Sequence, residues 1–283
     1  MSTASSPAPD PSAPVLTSAA RLRVVLVGTQ HPGNIGSAAR ALKTMGLSRL
    51  VLVAPEKAPN AESSALAAGA DDVLDGAQVH ATLAEAVADC RLVLGCTARS
   101  RRVSLEELAP RVAAPRAVAA AAAGGEVALV FGRERTGLDN EELQLCHAAI
   151  HIPANPDYSS LNLAAAVQVV AYELRLALLG ETSPHGGSPA GAPASAVAAP
   201  DDAGDPRDTP ATHAQLEGFF AQLSDTLDAI DFHKGRAPAS AMRKLRRVFL
   251  RADLDVREVR LLRGVLADAQ RMARLAGGGD GSA

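Results

Sequence analysis

Residues 23–46 read RVVLVGTQHPGNIGSAARALKTMG, and this stretch decides the fold class of the first part of the chain. The β-branched run Val24-Val25-Leu26-Val27 is typical of a strand that is buried on both faces of a parallel sheet. A glycine-containing loop follows, and residues 35–45 have the pattern of a helix that ends with Gly46 at the C′ position. A strand, a loop and a helix in this order predict the start of an α/β fold.

The same alternation continues as far as residue 180. Further strands are predicted at 50–53, 92–94, 127–131 and 149–152, and further helices at 61–68, 82–88 and 159–179. These elements predict an α/β domain at residues 21–180, with a mainly parallel sheet and helices on both faces. Ligands of such sheets bind beyond the carboxyl ends of the strands. The candidate binding loops therefore follow Val27, Leu94, Phe131 and Ile152.

The remaining segments differ from this domain in composition. Residues 1–20 are rich in Ser, Ala and Pro, and they are predicted to form a disordered tail, as are residues 277–283. Residues 181–212 contain no apolar periodicity and are predicted to form a flexible linker. Apolar residues return at helical spacing in residues 213–276, which predicts a small all-α extension of three amphipathic helices.

The formal net charge is -3, which by itself disfavours a nucleic-acid partner. Its distribution is uneven, since residues 181–212 contain one Arg and five acidic residues, whereas residues 213–276 contain 12 basic and eight acidic ones. The basic charge lies in the helical extension and in the loop Arg99-Ser100-Arg101-Arg102, where it favours RNA contacts. Aromatic residues make up only 2% of the chain, which argues against recognition by rows of stacked rings.

Cysteine and histidine are placed without the spacing of metal sites. The three cysteines form no CxxC pair, so neither zinc nor a disulfide framework is indicated, and a reducing cytoplasm is favoured. His31, His147 and His151 are interpreted as structural, and no metal is expected. The N-terminus lacks a signal-peptide pattern, and no run of about 18 apolar residues predicts a membrane span.

The first segment with candidate chemistry is Gly33-Asn34-Ile35-Gly36-Ser37-Ala38-Ala39-Arg40. One interpretation is an Asn cap on a helix, with a solvated Arg40 one turn inside. The other is a helix start that binds an anion, with Arg40 directed at a phosphate. The spacing of Gly28 and Gly33 does not fit the dinucleotide-binding G-x-G-x-x-G pattern.

Two further segments follow predicted strands. Residues 131–138 read FGRERTGL, either a polar loop before a helix capped by Asp139 or a loop whose glycines let the backbone approach a ligand. Residues 152–163 read IPANPDYSSLNL, where Ser159 could cap the next helix. Asn162 is then expected inside the first turn of an apolar helix, where it needs partners that a ligand could supply.

Together these three segments resemble the motifs of the SPOUT methyltransferases, and the TrmJ-type tRNA (cytidine/uridine) 2′-O-methyltransferases are the most similar group. The resemblance covers residues 23–180 and includes the stretches LAAGA at 66–70 and TARSR at 97–101. The stretches KLRR at 244–247 and EVRLLRG at 258–264 are similar to the helical extension of the same group.

This resemblance implies a C-terminal trefoil knot, a homodimer, S-adenosylmethionine as cofactor and tRNA as substrate, with methylation of the ribose of nucleotide 32. The implied catalytic residues are Arg40, Asn34, Ser160 and Asn162. The implied cofactor contacts are Thr97, Ala98, Arg99, Gly132, Glu134, Gly137, Ile152, Ser160, Leu161 and Asn162. RNA contacts are predicted at Arg99, Arg101, Arg102, Arg243, Lys244, Arg246 and Arg247.

A guanidinium keeps its proton at neutral pH, so Arg40 is a poor base. We therefore expect Arg40 to grip the adjacent phosphate and stabilise the developing alkoxide, while the proton passes to that phosphate or to water. Asn34 would orient Arg40 or the ribose, and Ser160 and Asn162 would fix the cofactor and the hydroxyl. The alternatives are a ribosomal RNA target and a non-catalytic RNA-binding module that keeps the fold.

Overall fold

A computed structural model of the protein describes residues 13–98, 105–180, 209–235 and 237–277. Contacts within the chain divide it into an α/β unit and a helical unit. The strands of the α/β unit are β1 (Leu22–Val27), β2 (Arg49–Val53), β3 (Gln78–His80), β4 (Cys90–Cys96), β5 (Glu106–Leu108), β6 (Glu126–Phe131) and β7 (Ala148–Ile150).

Eight helices precede residue 180 and three follow the linker, counted over the described ranges. The first eight are α1 (Ala13–Ala19), α2 (Pro32–Thr44), α3 (Ala61–Ala67), α4 (Asp71–Asp75), α5 (Leu83–Ala86), α6 (Pro110–Ala122), α7 (Asn140–Gln144) and α8 (Leu163–Leu178). The last three are α9 (His213–Ala229), α10 (Pro238–Arg251) and α11 (Val256–Gly277).

The seven strands form one sheet in the order β3-β2-β1-β6-β4-β7-β5. The pairs β1–β2, β1–β6, β2–β3, β4–β7 and β5–β7 are all parallel. Every residue of β1 is buried, as its β-branched run predicts. Because β1, β6, β4 and β7 are neighbours, the loops at their carboxyl ends meet at one edge of the sheet, and this edge carries the site.

The predicted α/β class and the helical extension are confirmed, but the strands β3 and β5 and the helices α4 and α6 were missed. β3 and β5 are three residues long, mostly exposed, and lie at the two edges of the sheet. Short exposed edge strands lack the apolar run that identifies a buried strand. The trefoil knot stays a prediction.

The N-terminal tail is shorter than predicted, since residues 13–19 form α1 instead of disordered chain. Ala19 is buried in the main core with Leu22, because α1 packs against α6 and α8. Residues 1–12 and 278–283 lie outside the described residues, as does 181–208 of the predicted linker.

In the helical unit, α9 carries most of the buried apolar residues. Phe219 and Phe220 of α9 contact Phe249 of α10, with ring centroids 4.8 and 6.4 Å apart. Val259 of α11 is buried in the same cluster. Three amphipathic helices around one small core agree with the pattern in the sequence.

Candidate active site at the carboxyl edge of the sheet

A pocket opens at the carboxyl edge of the sheet, between the loops that follow β4, β6 and β7. It holds about 900 Å³ of empty space, including the part that is open to solvent. Its lining combines apolar, hydroxyl and charged side chains: Cys96, Thr97, Ala98, Phe131, Gly132, Arg133, Glu134, Arg135, Thr136, Gly137, Ile152, Ser159, Ser160, Leu161, Leu163 and Ala166.

Most of the residues predicted to contact the cofactor lie on this lining. They are Thr97, Ala98, Gly132, Glu134, Gly137, Ile152, Ser160 and Leu161. Arg99 lies outside the described residues, and Asn162 is placed beside the pocket and not on its lining. The other eight lining residues were missed, and the polar ones Arg133, Arg135, Thr136 and Ser159 are each a direct sequence neighbour of a predicted residue.

A chain of hydrogen bonds joins the three candidate segments beside this pocket. Asn34 Nδ2 donates to Glu134 Oε1 at 2.9 Å. Asn162 Nδ2 donates to Asn34 Oδ1 at 3.1 Å. These residues are 100 and 128 positions apart in sequence, so the fold brings together segments that the sequence separates.

The direction of this chain is fixed by its first member. A carboxylate only accepts hydrogen bonds, so Glu134 must face the NH₂ group of Asn34. The amide oxygen of Asn34 then faces Asn162, which must donate. The oxygen of Asn162 accepts from the backbone N–H groups of Ala164 at 2.9 Å and Ala165 at 3.4 Å, at the start of α8. Both amide orientations are thereby determined.

The anion at the start of α2 is the protein's own Glu134. Its carboxylate accepts from the backbone N–H of Gln30 at 3.0 Å and of His31 at 3.2 Å, at the positive end of the helix. Burial raises the pKa of Glu134, but the hydrogen bonds from Asn34, Gln30 and His31 outweigh it and hold the pKa below its ordinary value. The hypothesis of a phosphate at this helix start is therefore corrected, because Glu134 fills the position.

The helix boundaries also change the interpretation of both asparagines. α2 begins at Pro32 with His31 as N-cap, so Asn34 lies inside the first turn and does not cap the helix. α8 begins at Leu163, and its N-cap is Asn162, not Ser159. Asn162 is exposed and partnered by backbone and Asn34, so the argument that it needs a ligand as partner was wrong.

The glycines around Glu134 serve the loop itself. A Cβ on Gly132 would lie 2.1 Å from the backbone nitrogen of Leu138 and 2.2 Å from the carbonyl carbon of Gly137. The N–H of Gly137, at a φ of 68°, donates to the carbonyl of Arg133 at 2.8 Å. A close backbone approach is therefore present between two parts of this loop, and both glycines also line the pocket, so an approach of their backbone to a ligand stays a prediction.

Arg133 anchors this loop from its other side. Its Nη1 contacts both carboxylate oxygens of Glu142 at 3.0 Å. Glu142 also closes a capping box with Asp139 at the start of α7, as the D-x-x-E pattern at 139–142 would have indicated. The arginines on either side of Glu134 both line the pocket, and Arg133 in addition anchors the loop through Glu142.

Arg40 lies on the exposed side of α2, outside the pocket lining. Among the described residues its guanidinium makes no ion pair or hydrogen bond. It is therefore available to an anion that arrives from solvent.

The cations predicted to contact RNA in the helical unit fall into two classes. Arg243, Lys244 and Arg247 are exposed on α10. Arg246 points inward, since its Nη1 donates to Glu217 at 2.9 Å and its guanidinium lies 4.4 Å from the centre of the Phe220 ring. Arg246 is thus a structural residue, which corrects the prediction, while Arg101 and Arg102 lie outside the described residues.

Across the described residues, no group of three or more His, Cys, Asp and Glu side chains is placed to hold a metal ion. His147 Nδ1 accepts from the N–H of Val93 at 3.1 Å, and His151 Nδ1 lies 3.3 Å from the carbonyl of Thr97. Both contacts fit structural roles. None of the described helices is long and apolar enough to cross a bilayer.

Comparison with known proteins identifies the family. Residues 21–172 match the model of the SpoU rRNA Methylase family, which is more than half of the chain. The chain belongs to the SpoU methylase family. Residues 214–278 match a second model, described as the C-terminal domain of the tRNA methyltransferase TrmJ. The predicted resemblance to TrmJ-type methyltransferases is thereby confirmed for both units of this SpoU family member.

Its relatives match nearly end to end. The tRNA (cytidine/uridine/adenosine-2′-O-)-methyltransferase TrmJ of Pseudomonas aeruginosa is 46% identical over 254 residues, which are 90% of this chain and 95% of that protein. The tRNA (cytidine/uridine-2′-O-)-methyltransferase TrmJ of Salmonella typhimurium is 48% identical over 88% of this chain and 96% of its own. The crystal structure of TrmJ from Z. mobilis ZM4 has a TM-score of 0.68 at 34% identity, and covers 87% of this SpoU family member and 97% of that chain.

Proposed function

We propose that this protein is an S-adenosylmethionine-dependent tRNA 2′-O-methyltransferase that acts on the ribose of cytidine or uridine at position 32. The observation that carries the proposal is the hydrogen-bonded chain from Glu134 through Asn34 to Asn162 beside the pocket. Support comes also from two family matches that together span both units, and from relatives named as tRNA 2′-O-methyltransferases over most of the chain.

The pocket lining fits such a cofactor. Apolar side chains of Ile152, Leu161 and Leu163 suit a purine, and the hydroxyls of Thr97 and Ser160 suit a ribose and a polar tail. When bound, the sulfonium of S-adenosylmethionine supplies a methyl group that is already activated. The chain's own residues must then make the ribose hydroxyl nucleophilic and hold it in line.

Arg40 is proposed to hold the RNA phosphate next to the target ribose. Its guanidinium stays charged, so it stabilises the alkoxide that develops at the 2′-oxygen and does not take the proton itself. That proton passes to the phosphate or to water. The exposed position of Arg40 suits this role, since a phosphate reaches it from solvent without entering the pocket.

Asn34, Asn162 and Ser160 are proposed to position the reactants. The orientation of Asn34 is fixed by Glu134, and that of Asn162 by the start of α8. Because these groups need no reorganisation when substrate arrives, the hydroxyl meets a preformed site. Glu134 then acts as a positioning residue more than as a cofactor contact.

A tRNA substrate is favoured over ribosomal RNA by the helical unit. The match to the TrmJ C-terminal domain covers α9 to α11, where the exposed Arg243, Lys244 and Arg247 lie. Basic side chains on one helix suit the phosphates of a folded RNA. We propose that these three, with Arg99, Arg101 and Arg102, contact the tRNA, and that the protein works in the cytoplasm.

We also propose that the protein is a homodimer. The helices α1, α6 and α8 pack against one another, and each carries a large apolar side chain that is at least half-exposed: Leu16 on α1, Val112 on α6 and Tyr172 on α8. Such a patch is typical of a subunit interface. Light scattering of wild type and Val112→Glu tests this, and an unchanged monomeric mass for both would contradict it.

The test of function is methyl transfer from labelled S-adenosylmethionine to unmodified tRNA, with the modified nucleotide mapped by mass spectrometry. One 2′-O-methylated pyrimidine at position 32 is expected. Transfer to ribosomal RNA alone would reassign the substrate. Cofactor and tRNA binding without any transfer would support the non-catalytic module instead.

A further inference from the structure

Tyr158 is the most exposed of the large hydrophobic side chains in the described parts of the chain, at 82% of its surface. An aromatic side chain commonly buries about 150–250 Å² of surface, so an exposed ring offers a partner a large contact area. The whole chain has two Tyr, five Phe and no Trp. Tyr158 lies in a loop of the α/β unit, at the candidate site.

Tyr158 is adjacent in sequence to residues that line the pocket. The next two residues, Ser159 and Ser160, are both on the pocket lining, and consecutive Cα atoms are about 3.8 Å apart. Tyr158 itself is absent from that lining and faces solvent. Tyr158 therefore lies beside the pocket, and its ring is open to a partner from solvent.

The backbone that presents the ring is held in place. Asn155 accepts from the N–H of Asp157 through its side chain at 3.1 Å and from the N–H of Tyr158 through its carbonyl at 2.9 Å. Pro153 and Pro156 fix φ at two positions of the same loop. A ring on such a loop loses little conformational entropy when it binds a partner.

We propose that Tyr158 stacks on the base of the nucleotide whose ribose is methylated, an inference that rests on the proposed function. In a nucleotide the base is attached to C1′, and the reacting hydroxyl to the adjacent C2′. A nucleotide that delivers its 2′-hydroxyl to the pocket must therefore bring its base close to the pocket, where Tyr158 lies. Single-stranded RNA loops are recognised by bases that splay out and stack on aromatic side chains.

Stacking fits a site that acts on cytidine or uridine, as in the proposed function. Every base has a π face, whereas the hydrogen-bonding edges of the two pyrimidines carry opposite groups. Tyr158 thus holds the base without reading its edge, and one ring suffices in a chain that is poor in aromatics.

The test compares Tyr158→Phe, which keeps the ring, with Tyr158→Leu, which keeps an apolar side chain without it. Phe232→Leu is the matched control, because it removes a half-exposed ring of the helical unit. Loss of one base stack should raise the KM for tRNA about 5- to 150-fold in Tyr158→Leu. The KM for tRNA of Tyr158→Phe and of the control should stay within about 2-fold of the wild-type value. The cofactor affinity of all three variants, measured by calorimetry, should equal that of wild type.

A direct readout uses an anticodon stem-loop with 2-aminopurine at the target nucleotide. Its fluorescence should be quenched on binding to wild type and Tyr158→Phe, but not to Tyr158→Leu. Quenching that persists in Tyr158→Leu, or a KM equal to wild type, would overturn the stacking role. A lower mass of Tyr158→Leu in light scattering would assign the ring to a subunit contact instead. If wild type methylates no tRNA, the proposed function fails, which is a separate result.

Discussion

The carboxyl edge of the α/β unit and helix α10 of the helical unit both contain residues predicted to bind or position RNA. The side chains of the two regions are held in different ways. At the carboxyl edge, Glu134, Asn34 and Asn162 bind one another, and the orientation of each is fixed by the next. On α10, Arg243 and Lys244 are exposed cations. The first region is a network and the second a set of separate charges.

This difference has a physical consequence for mutation. Removing one member of a hydrogen-bonded network leaves the other members misdirected, so effects are large and not additive. Removing one exposed cation weakens a screened attraction by a small amount that adds to the others. The predictions below test this contrast.

The largest effect is expected for Arg40→Ala. If Arg40 stabilises the developing alkoxide, its loss should lower turnover by at least about 100-fold while leaving cofactor binding within about 2-fold. Single-turnover methyl transfer and calorimetry measure the two quantities. Arg111→Ala, which removes an exposed arginine of α6, is the matched control. Parallel loss of turnover and cofactor affinity would assign Arg40 to cofactor binding instead.

Glu134→Gln should have the next largest effect. A carboxamide keeps one acceptor oxygen and puts an NH₂ donor in place of the other, so either the N–H of Gln30 or the donors Asn34 and His31 then face a second donor. We expect turnover to fall about 10- to 100-fold, and stability to fall by about 1–3 kcal/mol because a part-buried donor loses its acceptor.

A double-mutant cycle with Asn34→Ala separates this network from a simple cofactor contact. If Glu134 acts through Asn34, the double variant should lose little more turnover than Asn34→Ala alone. Glu141→Gln, on the exposed side of α7, controls for the loss of one charge. Additive losses in the cycle would show that Glu134 acts independently of Asn34.

Much of the fold could be predicted from the sequence because buried strands have a strong local pattern. β1, β2, β4 and β6 contain apolar runs, and Gly46 ends α2 with a φ of 74° as its position indicated. The bond between Asn34 and Asn162 has no such pattern, since 128 residues separate them. Only the resemblance to a family placed those two segments together.

The basic helix was predicted less well, for a different reason. A count of cations says nothing about which of them points inward. Arg246 lies four residues after Met242 and three before Phe249, which both pack against the helical core, so helical spacing puts all three on one face. Positions on the helix, and not charge alone, would have identified Arg246 as structural.

Arg246→Ala and Arg243→Ala should therefore differ in kind. Arg246→Ala leaves the partly buried Glu217 without its ion pair and removes the contact with Phe220, so the helical unit should lose about 1–3 kcal/mol of stability. Arg243→Ala should leave stability unchanged. It should make the slope of log affinity for tRNA against log salt concentration shallower, by the amount that about one phosphate contact contributes. Urea unfolding and binding at several salt concentrations measure both, and the reverse pattern would refute the assignment.

The smallest effect concerns pH, and it again separates the two units. His213 is 2% exposed at the start of α9. Burial lowers its pKa below the ordinary 6.5, Arg246 lowers it further, and Glu217 opposes the shift. The unfolded chain binds the proton more readily, so this contribution to stability is full above pH 6.5 and is lost as pH falls below it.

In the α/β unit, burial raises the pKa of Glu126, but Arg49 and Arg23 lower it to a net value below 4.5. The carboxylate's contribution is therefore lost only below that pH.

Hydrogen exchange followed by mass spectrometry, corrected for intrinsic rates, reports on each unit separately. Between neutral pH and pH 5.5, peptides of α9 should lose protection while those of β1 and β6 keep theirs. His213→Gln should remove this difference, because a neutral amide does not titrate, and Glu126→Gln should leave it intact. Loss of protection in both units at the same pH would mean that the two units unfold together. The helical unit could then not be treated as responding to pH separately from the α/β unit.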